Sequence, residues 1–311
     1  MTAEKVAVVV VTYNRADLLE RMLAGLDALE RRPEAVIVVD NASTDHTREV
    51  LERSPNPDLL AIHTTENLGG AGGFHLGLKT AYDKGYDVMW LMDDDVVPAP
   101  DCLTRLLEVD GSCLTAVRED RAGALVEKAA VHFDLRNPLA IRPKKASVDS
   151  AYADRASMPA TVPVDNVSFE GFLVRRAVID AVGLPDPSYF IFYDDVDYAL
   201  RARRAGFPVV AVRDAVLVRQ LAFDQQHDMR SWKGFFMYRN LFVVHLRYGE
   251  NALVRLKPWL IALVVLVLAL ARGRRDEAGN VLRAIRSAPG LARTAPPGPP
   301  NGLAPIDSPN A

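Results

Sequence analysis

The stretch Asp87–Pro98, DVMWLMDDDVVP, contains an apolar run that ends on three consecutive carboxylates. Val88–Met92 is short, apolar on both faces and followed by charge, a pattern typical of a central strand in a parallel sheet. Open α/β sheets bind ligands beyond the carboxyl ends of such strands. We therefore expect Asp93, Asp94 and Asp95 to lie at the edge of a binding site.

Adjacent carboxylates repel one another, so this strand end needs a cation or strong hydrogen-bond donors nearby. A hard divalent ion such as Mg²⁺ or Mn²⁺ binds carboxylate oxygens and keeps positions for water and phosphate. In extended chain Asp93 and Asp95 point the same way, so both are predicted to face one metal ion. The alternative is a solvated acidic turn before Pro98.

The segments before this strand alternate between strand and helix. A β-branched run at Val6–Val11 precedes helical spacing over Asp17–Leu29, and Ala35–Val39 precedes a helix that includes Thr47–Leu51. Leu60–His63 is predicted as a short third strand. Elements in this order predict an α/β fold with a parallel sheet and right-handed crossovers.

A glycine-dense turn, Asn67–Gly73 (NLGGAGG), opens the next predicted helix. Glycine lets the backbone approach a ligand or another element closely, and a helix N-terminus favours anions. The string matches neither a dinucleotide-binding G-x-G-x-x-G nor a P-loop. Packing and ligand binding are equally good reasons for these glycines.

Polar groups follow all four predicted strands and converge on one crevice. They are Thr12, Tyr13, Asn14, Arg15, Asp40, Asn67 and the three aspartates. A nucleotide uses such a set, with loop groups for base and ribose and a metal ion for the diphosphate. We therefore expect an activated, phosphate-linked donor in this crevice.

A second acidic cluster follows the aromatic run Tyr189–Tyr193. Val167–Arg175 alternates as a strand, and Tyr198–Ala205 is predicted as a helix. Asp194 and Asp195 stand at the start of that helix, where its dipole stabilises carboxylates. From spacing alone, a capping role explains the pair.

Four ordered strings, VVVTYNR, VVDNASTD, NLGGAGG and WLMDDD, resemble the nucleotide-binding half of family 2 glycosyltransferases, which have the inverting GT-A fold. The match in order and spacing covers residues 6–98. NLGGAGGF, the triple aspartate and YDDVDY resemble most the galactofuranosyltransferases and rhamnosyltransferases of that family. The resemblance implies an α/β GT-A fold with a C-terminal helical extension.

The resemblance also implies roles for the first polar loops. Thr12 and Asp40 would contact the base, and Tyr13, Asn14 and Arg15 would line the nucleotide loop. Ordinary turn chemistry is the alternative for Tyr13 and Asn14.

For the diphosphate end, the resemblance implies Asn67 on the ribose or diphosphate side. Asp93 and Asp95 become a D-x-D pair for Mn²⁺ or Mg²⁺, with Asp95 the more direct ligand. Asp94 would touch the donor.

The second acidic cluster resembles the motif that supplies the general base, followed by L-R-x-x-x-x-G at Leu200, Arg201 and Gly206. We expect Asp195 as the base with Asp194 beside it, although the reverse assignment stays open. Inverting transfer needs one carboxylate to take the proton from the acceptor hydroxyl as it attacks the anomeric carbon.

The segment Trp232–Leu241 resembles the aromatic string ending in Arg-Asn that follows the base in these enzymes. A histidine often precedes it and joins the metal or diphosphate shell. Counted back from Arg239 and Asn240, that place is held by Gln220. His227, the nearest histidine, is therefore the candidate third ligand, and a solvated loop histidine is the alternative.

The chain's 311 residues include 37 Lys plus Arg against 40 Asp plus Glu, a net charge of −3 that argues against a nucleic-acid partner. Cys102 and Cys113, outside any metal pattern, fit a reducing compartment. The first residues lack a secretory signal. We expect a cytoplasmic protein, or one attached to the membrane's cytoplasmic face.

The apolar run Pro258–Ala271 covers 14 residues between basic flanks. Spanning a bilayer takes roughly 20, so a helix lying in the cytoplasmic leaflet is plausible, and a buried core or oligomer helix is the alternative. Membrane attachment would fit a lipid-linked acceptor. The basic cluster Arg142, Lys144 and Lys145 is predicted to be a solvated face.

The predicted organisation is a catalytic domain over residues 1–250, with a nucleotide-binding half (1–98) and an acceptor half (99–250). A helical extension (251–292), with possible membrane association, and a disordered proline-rich tail (293–311) would follow.

The predicted activity is metal-dependent transfer of galactofuranose or rhamnose from a UDP or dTDP donor to a glycan or polyprenyl-linked acceptor. A sugar-1-phosphate nucleotidyltransferase is one alternative, although it needs a glycine-rich loop with Arg and Lys near the first strand. A non-catalytic membrane-bound scaffold is the other.

Overall fold

In the computed structural model, which describes residues 4–140, 142–221 and 228–300, a mixed sheet is covered by helices on both faces. The strands are β1 (Val6–Thr12), β2 (Ala35–Asp40), β3 (Leu59–His63), β4 (Val88–Asp93), β5 (Val96–Pro98), β6 (Cys113–Glu119), β7 (Ala130–Phe133), β8 (Lys144–Ser147), β9 (Thr161–Val164), β10 (Phe172–Arg175) and β11 (Val209–Arg219). The helices are α1 (Ala16–Asp27), α2 (Thr47–Arg53), α3 (Gly69–Asp83), α4 (Cys102–Leu107), α5 (Val148–Ala151), α6 (Arg176–Val182), α7 (Asp194–Arg204), α8 (Trp232–Tyr248), α9 (Ala252–Ala271) and α10 (Arg275–Arg293). The predicted α/β class is confirmed.

The sheet order is β3-β2-β1-β4-β10-β6-β11-β5, and β9 pairs with β11. The first four strands are parallel, whereas β10 runs antiparallel between β4 and β6. Successive strand residues face opposite sides, so alternate residues of β1 pack with α1 on one face and with α3 on the other. The carboxyl end of β4 therefore lies in the middle of the sheet.

The predicted strand Val167–Arg175 is wrong in its first half, because the strand begins only at Phe172. Gly171 has φ +99°, and a Cβ there would lie 2.4 Å from Leu217. The alternating pattern before it therefore belongs to a tight loop. This loop carries Glu170 toward the end of β4.

Three other boundaries differ from the predictions. The chain turns at Asp94–Asp95 between β4 and β5, so the extended geometry expected for Asp93 and Asp95 is wrong. Helix α7 begins at Asp194 rather than Tyr198, which places the acids inside its first turn. Helix α9 is 20 residues long, since Asn251 caps it through Val254 N–H (3.0 Å) and it continues through Pro258.

Helices α8, α9 and α10 pack together at the C-terminal side of the molecule. Of the residues at the start of the predicted tail, Thr294 accepts a bond from Arg247 (2.9 Å), and Pro297 and Gly298 lie against Gly183. The rest of that tail, residues 301–311, lies outside the described residues.

Candidate active site

The middle aspartate of the triplet ties the end of β4 to the loop after β1. Asp94 accepts hydrogen bonds from Thr12 Oγ1 (2.8 Å) and Arg15 Nη1 (3.0 Å). Burial raises the pKa of Asp94, although Arg15 and Thr12 oppose that rise. Thr12, Arg15 and Asp94 are all predicted to contact the sugar nucleotide. In the structure the Thr12 hydroxyl and the Arg15 guanidinium are bonded to Asp94.

The outer aspartates carry charge that these bonds do not offset. Burial raises the pKa of Asp95 to about 6, and the charge of Glu170 adds to the rise. The pKa of Asp93 rises well above its usual range for the same two reasons. Arg15 and Arg219 lie 3.6 Å and 3.7 Å from Asp95 and offset part of this negative charge.

A divalent cation fits this donor set. Asp95 Oδ1 is buried and has no hydrogen-bond partner among the residues that the structure describes, which is the state of a carboxylate oxygen available to a metal ion. Within residues 4–140, 142–221 and 228–300, no three His, Cys, Asp or Glu side chains form a complete metal cluster. Mg²⁺-type sites of one or two carboxylates complete their shell with water and substrate phosphate. Asp95 and Asp93 are the residues that would hold the ion.

Glu170 is a site residue that the sequence analysis missed. It is paired with Arg118, which is buried and also makes a bidentate pair with Glu127 (2.9 Å to each oxygen). Arg219 lies 3.5 Å from Glu170 as well. Burial opposes ionisation of Glu170, yet the charges of Arg118 and Arg219 lower its pKa. A charged residue before glycine in an otherwise apolar segment was the available signal.

The loops after β1 and β2 hold each other in place. The Asn14 side chain accepts from Thr44 N–H (2.7 Å), and its backbone N–H donates to Ser43 Oγ (2.9 Å). Asn14 has φ +53°, a conformation that asparagine tolerates well. Tyr13 is 44 % exposed beside it. The side-chain oxygen and the backbone N–H of Asn14 therefore bond to the loop after β2, and the Tyr13 ring is partly exposed to solvent.

Asp40, at the end of β2, is buried beside His63, a residue that the sequence analysis assigned only to a strand. The two side chains lie 2.9 Å apart, and Ser43 N–H donates to the other carboxylate oxygen (2.9 Å). Burial opposes ionisation, yet the Ser43 and His63 bonds lower the pKa of Asp40. Asn67 is exposed, and its side chain caps Gly69 N–H (2.8 Å).

Neighbouring elements leave no room for a side chain at two of the four glycines in the Asn67–Gly73 turn. A Cβ on Gly69, where φ is +71°, would lie 2.0 Å from the Phe190 carbonyl oxygen, and one on Gly73 would lie 2.6 Å from Val11. A Cβ on Gly70 would meet no atom within 4 Å. Close approach of α3 to β1 and to the aromatic run therefore explains Gly69 and Gly73, two of the four glycines in this turn.

Asp194 and Asp195 follow a strained aromatic segment. Phe190, Phe192 and Tyr193 all have φ near +65° (63°, 67° and 66°), a costly conformation for bulky residues. Burial raises the pKa of Asp195 to about 6 and raises the pKa of Asp194 well above its usual range. Such strain before two buried carboxyls is typical of a functional site.

The side chain of Asn240, from α8, holds this segment. Its Nδ2 donates to the carbonyls of Tyr189 (3.0 Å), Ile191 (2.8 Å) and Phe192 (2.9 Å). Arg239 Nη2 also donates to Tyr189 O (2.9 Å). The Arg-Asn pair at the end of the aromatic string thus fixes the backbone that presents Asp194 and Asp195.

Gln220, which holds the place of the expected histidine, lies next to the triplet. Its backbone N–H donates to Asp95 O (2.7 Å), and its side chain accepts from Arg121 (2.9 Å). His227 lies outside the described residues. The third metal ligand therefore stays a prediction.

Glu170 links the two acidic clusters electrostatically. Its charge raises the pKa of Asp93 and Asp95, and also that of Asp195 after the larger effect of burial. Glu170 is therefore close enough to act on both clusters, while the assignment of the two clusters to one catalytic site stays a prediction.

Residues 3–238 match the family described as glycosyltransferase like family 2. Galactofuranosyltransferase GlfT1 of Mycolicibacterium smegmatis is 32 % identical over 76 % of this chain and 82 % of its own length. The N-acetylglucosaminyl-diphospho-decaprenol L-rhamnosyltransferase of Mycobacterium tuberculosis is 31 % identical over 72 % of this chain and 78 % of its own.

A solved mannosyltransferase from Pyrobaculum calidifontis, in complex with GDP-mannose and Mn²⁺, shares the fold. Its TM-score is 0.56 at 19 % identity, over 92 % of this chain and 88 % of that one. These matches agree with the four ordered sequence strings and with the GT-A sheet. The chain belongs to glycosyltransferase family 2.

Proposed function

We propose that this glycosyltransferase moves galactofuranose or rhamnose from a UDP or dTDP donor to a glycan or polyprenyl-linked acceptor, with inversion at the anomeric carbon. The site at the end of β4 would bind the donor diphosphate, and the first turn of α7 would supply the base. The similarity to a galactofuranosyltransferase and a rhamnosyltransferase supports these two sugars.

The observation that carries this proposal is the state of Asp195. Burial raises its pKa to about 6, close to neutral pH, where a general base accepts a proton most effectively. Asp195 takes the proton from the acceptor hydroxyl while that oxygen attacks the anomeric carbon. The electron pair of the broken bond leaves with the diphosphate, and no covalent intermediate forms.

Positive charge at the end of β4 would stabilise the leaving diphosphate. Arg15 and Arg219 lie beside Asp95, and Asp95 and Asp93 would hold Mn²⁺ or Mg²⁺. When bound, the ion would neutralise charge on the phosphate oxygens. The mannosyltransferase of the same fold, solved with Mn²⁺, supports the choice of a divalent ion.

Helix α9 supports attachment of the enzyme to a membrane at the cytoplasmic face. By length and composition it is apolar enough to cross a bilayer. Most of its large apolar side chains are exposed. These are Leu253, Leu256, Trp259, Leu260, Leu263, Val264, Val267, Leu268 and Leu270. A helix lying in the leaflet would cover them and bring the enzyme to a lipid-linked acceptor.

The proposed domains follow from these roles. Residues 1–98 would bind the nucleotide, residues 99–250 would bind the acceptor and supply the base, and residues 251–292 would contact the membrane. Motifs of this kind do not determine which sugar is transferred, so the donor must be measured.

The test is release of UDP or dTDP from a panel of nucleotide sugars with Mn²⁺ or Mg²⁺, with membrane extract as the source of acceptor. Wild type should release nucleotide from one donor, and both Asp95→Ala and Asp195→Asn should lose that release. Asp195→Asn should still bind nucleotide, because its side chain lies outside the donor end.

Asp276→Asn is the matched control, since Asp276 is an exposed acid in the first turn of α10. It should keep full activity. If wild type neither binds nor turns over any donor, the proposed transfer reaction is wrong. A variant of Asp195 that keeps its rate would refute the base assignment alone.

A further inference from the structure

The β7–β8 hairpin contacts both α7, which carries Asp195, and the apolar helix α9. On one side, Phe133 and Leu135 pack in a cluster with Leu200 of α7 and Val244 of α8. Strand β8 returns antiparallel to β7, with Lys144 opposite Phe133. The hairpin therefore lies directly against the helix that carries Asp195 in its first turn.

The tip of the hairpin is held by the N-terminal part of α9. The Lys257 Nζ donates to the carbonyls of Asn137 (3.1 Å) and Ala140 (2.7 Å). Asn251 Nδ2 donates to Arg136 O (2.7 Å). Lys257 is buried in these contacts, so its charge is committed to the hairpin tip rather than to solvent.

The returning side of the hairpin carries three exposed cations, Arg142, Lys144 and Lys145, which we call the basic row. Lys144 Nζ donates to Lys128 O (2.7 Å), which leaves further N–H donors of the ammonium for a ligand. Asp149, the acid on α5 nearest to the row in sequence, is itself paired with Lys128. The charge of Asp195 also acts on Lys144, and the charges of Asp134 and Lys145 act on each other, so these acids offset part of the positive charge of the row.

The basic row extends from the base toward α9. Burial raises the pKa of Asp195, and the charge of Lys144 opposes that rise. Arg142 acts in the same sense on the pKa of Tyr193, the residue before α7. At the other end, burial lowers the pKa of Lys257 and the charge of Lys145 contributes to that shift. The pairing of Lys144 with Phe133, which packs with Leu200 of α7, and the bonds from Lys257 to the hairpin tip place the row on the hairpin between α7 and α9.

We propose that the basic row binds the diphosphate that links the acceptor sugar to its lipid. A chain anchored at the exposed face of α9 would pass over the hairpin to reach Asp195 with its sugar hydroxyl. The three cations would contact the phosphate oxygens on that path. This inference rests on the proposed transfer to a lipid-linked acceptor and assigns the acceptor's anionic linker to named residues.

The test titrates farnesyl diphosphate into the full chain saturated with UDP and Mn²⁺, so that the donor site is already filled. The double variant Arg142→Gln with Lys145→Gln should bind farnesyl diphosphate about tenfold more weakly, because it loses charge-assisted contacts to phosphate. Farnesol, which lacks the diphosphate, should bind wild type and variant equally. Both substituted residues are exposed, and unchanged thermal unfolding would show that the variant folds.

The matched control is Arg272→Gln with Arg275→Gln, two exposed cations at the other end of α9. It should bind farnesyl diphosphate within about twofold of wild type, because it keeps the basic row. Equal affinity in wild type and the Arg142/Lys145 variant would overturn the proposal, and so would farnesol binding as tightly as farnesyl diphosphate.

Vesicles of phosphatidylglycerol separate the acceptor linker from a lipid headgroup. If the Arg142/Lys145 variant loses vesicle binding but keeps its affinity for farnesyl diphosphate, the row binds headgroups and the proposal is overturned. UDP and dTDP affinities are measured separately. Failure of wild type to bind both UDP and dTDP would refute the proposed function, whereas the farnesyl diphosphate titration would still report on the basic row.

Discussion

The acidic cluster after β4 and the acidic cluster that opens α7 divide their carboxylates in the same way. In the first, Asp94 is bonded to Thr12 and Arg15, while Asp95 keeps a buried oxygen without a partner. In the second, Asp197 is the bonded member, and Asp195, the proposed base, accepts one hydrogen bond, from Val196 N–H (2.7 Å). In each cluster one carboxylate makes the hydrogen bonds that fix the local backbone, and a neighbouring carboxylate makes few hydrogen bonds to the protein.

The two bonded carboxylates differ in how firmly they are held. Asp197 is fully buried and accepts from Tyr189 (3.0 Å), Arg201 (2.9 Å), Arg247 (3.1 Å) and the Tyr248 hydroxyl. These partners come from α7, α8 and the aromatic run before α7. Asp94, by contrast, depends on a hydroxyl and a half-exposed arginine.

This difference indicates that the two ends of the site have different mechanical properties. The proposed base stands on a helix held by a closed network in the core, whereas the proposed donor end is joined to a surface loop. Regions with exposed hydrogen bonds open at lower free energy than core elements. The donor loop is therefore the part of the site that can adjust when substrate binds.

The largest expected effect is the loss of transfer rate on substitution of Asp195, the proposed base. Asp195→Asn should lower the transfer rate about 10³-fold, because the amide cannot accept the acceptor proton. The affinity for UDP should change little. The measurement is the initial rate of sugar transfer beside a UDP titration, and parallel loss of both would show that Asp195 supports the donor end instead.

Substitution of Asp197 should affect stability rather than chemistry. Asp197→Ala leaves Arg201 and Arg247 buried without their shared acceptor, so the free energy of unfolding should fall by about 3 kcal/mol. Urea unfolding measures it, with Asp214→Ala as the control, since that acid is half-exposed and should cost about 0.5 kcal/mol or less. Equal losses would contradict the rigid network.

The pH dependence of transfer should report the base. Because the pKa of Asp195 is raised to about 6, its carboxylate is protonated and inactive below that pH and ionised above it. The kcat/KM should rise with pH and level off above about pH 7, and at about pH 5 it should be about tenfold below its plateau. A profile that is flat across this range would exclude the assignment.

The smallest effect is expected at the bonded member of the donor cluster. Asp94→Asn keeps the size of the side chain but removes the charge that faces Arg15, so the free energy of unfolding should fall by only about 1 kcal/mol. Donor affinity should weaken several-fold because the loop after β1 is less well held. A stability loss as large as that of Asp197→Ala would remove the contrast between the clusters.

The sequence was sufficient for the strands of the first half and for the two acidic clusters. Val6–Val11 and Val88–Met92 are continuous apolar runs, and only a central strand buries both faces of such a run. The polar residues after them were then placed by topology. This logic is local to each strand, so it did not require knowledge of the second half.

The same reasoning failed where contacts between residues far apart in the sequence determine the backbone conformation. Val167–Glu170 alternates like a strand, but Gly171 turns the chain because β11 lies too close for a side chain. Glu170 therefore enters the site through a turn that has no periodic pattern. Its cation partner, Arg118, is 52 residues away along the chain, a distance that no motif in this segment encodes.

The dependence of the strained aromatic run on Asn240 separates donor recognition from turnover. A chain that ended before Trp232 would keep the strands that carry Thr12, Asp40 and Asp95, but would lose the side chain that fixes the segment before Asp194. Such a fragment would lack the three hydrogen bonds that Asn240 donates to the carbonyls of Tyr189, Ile191 and Phe192.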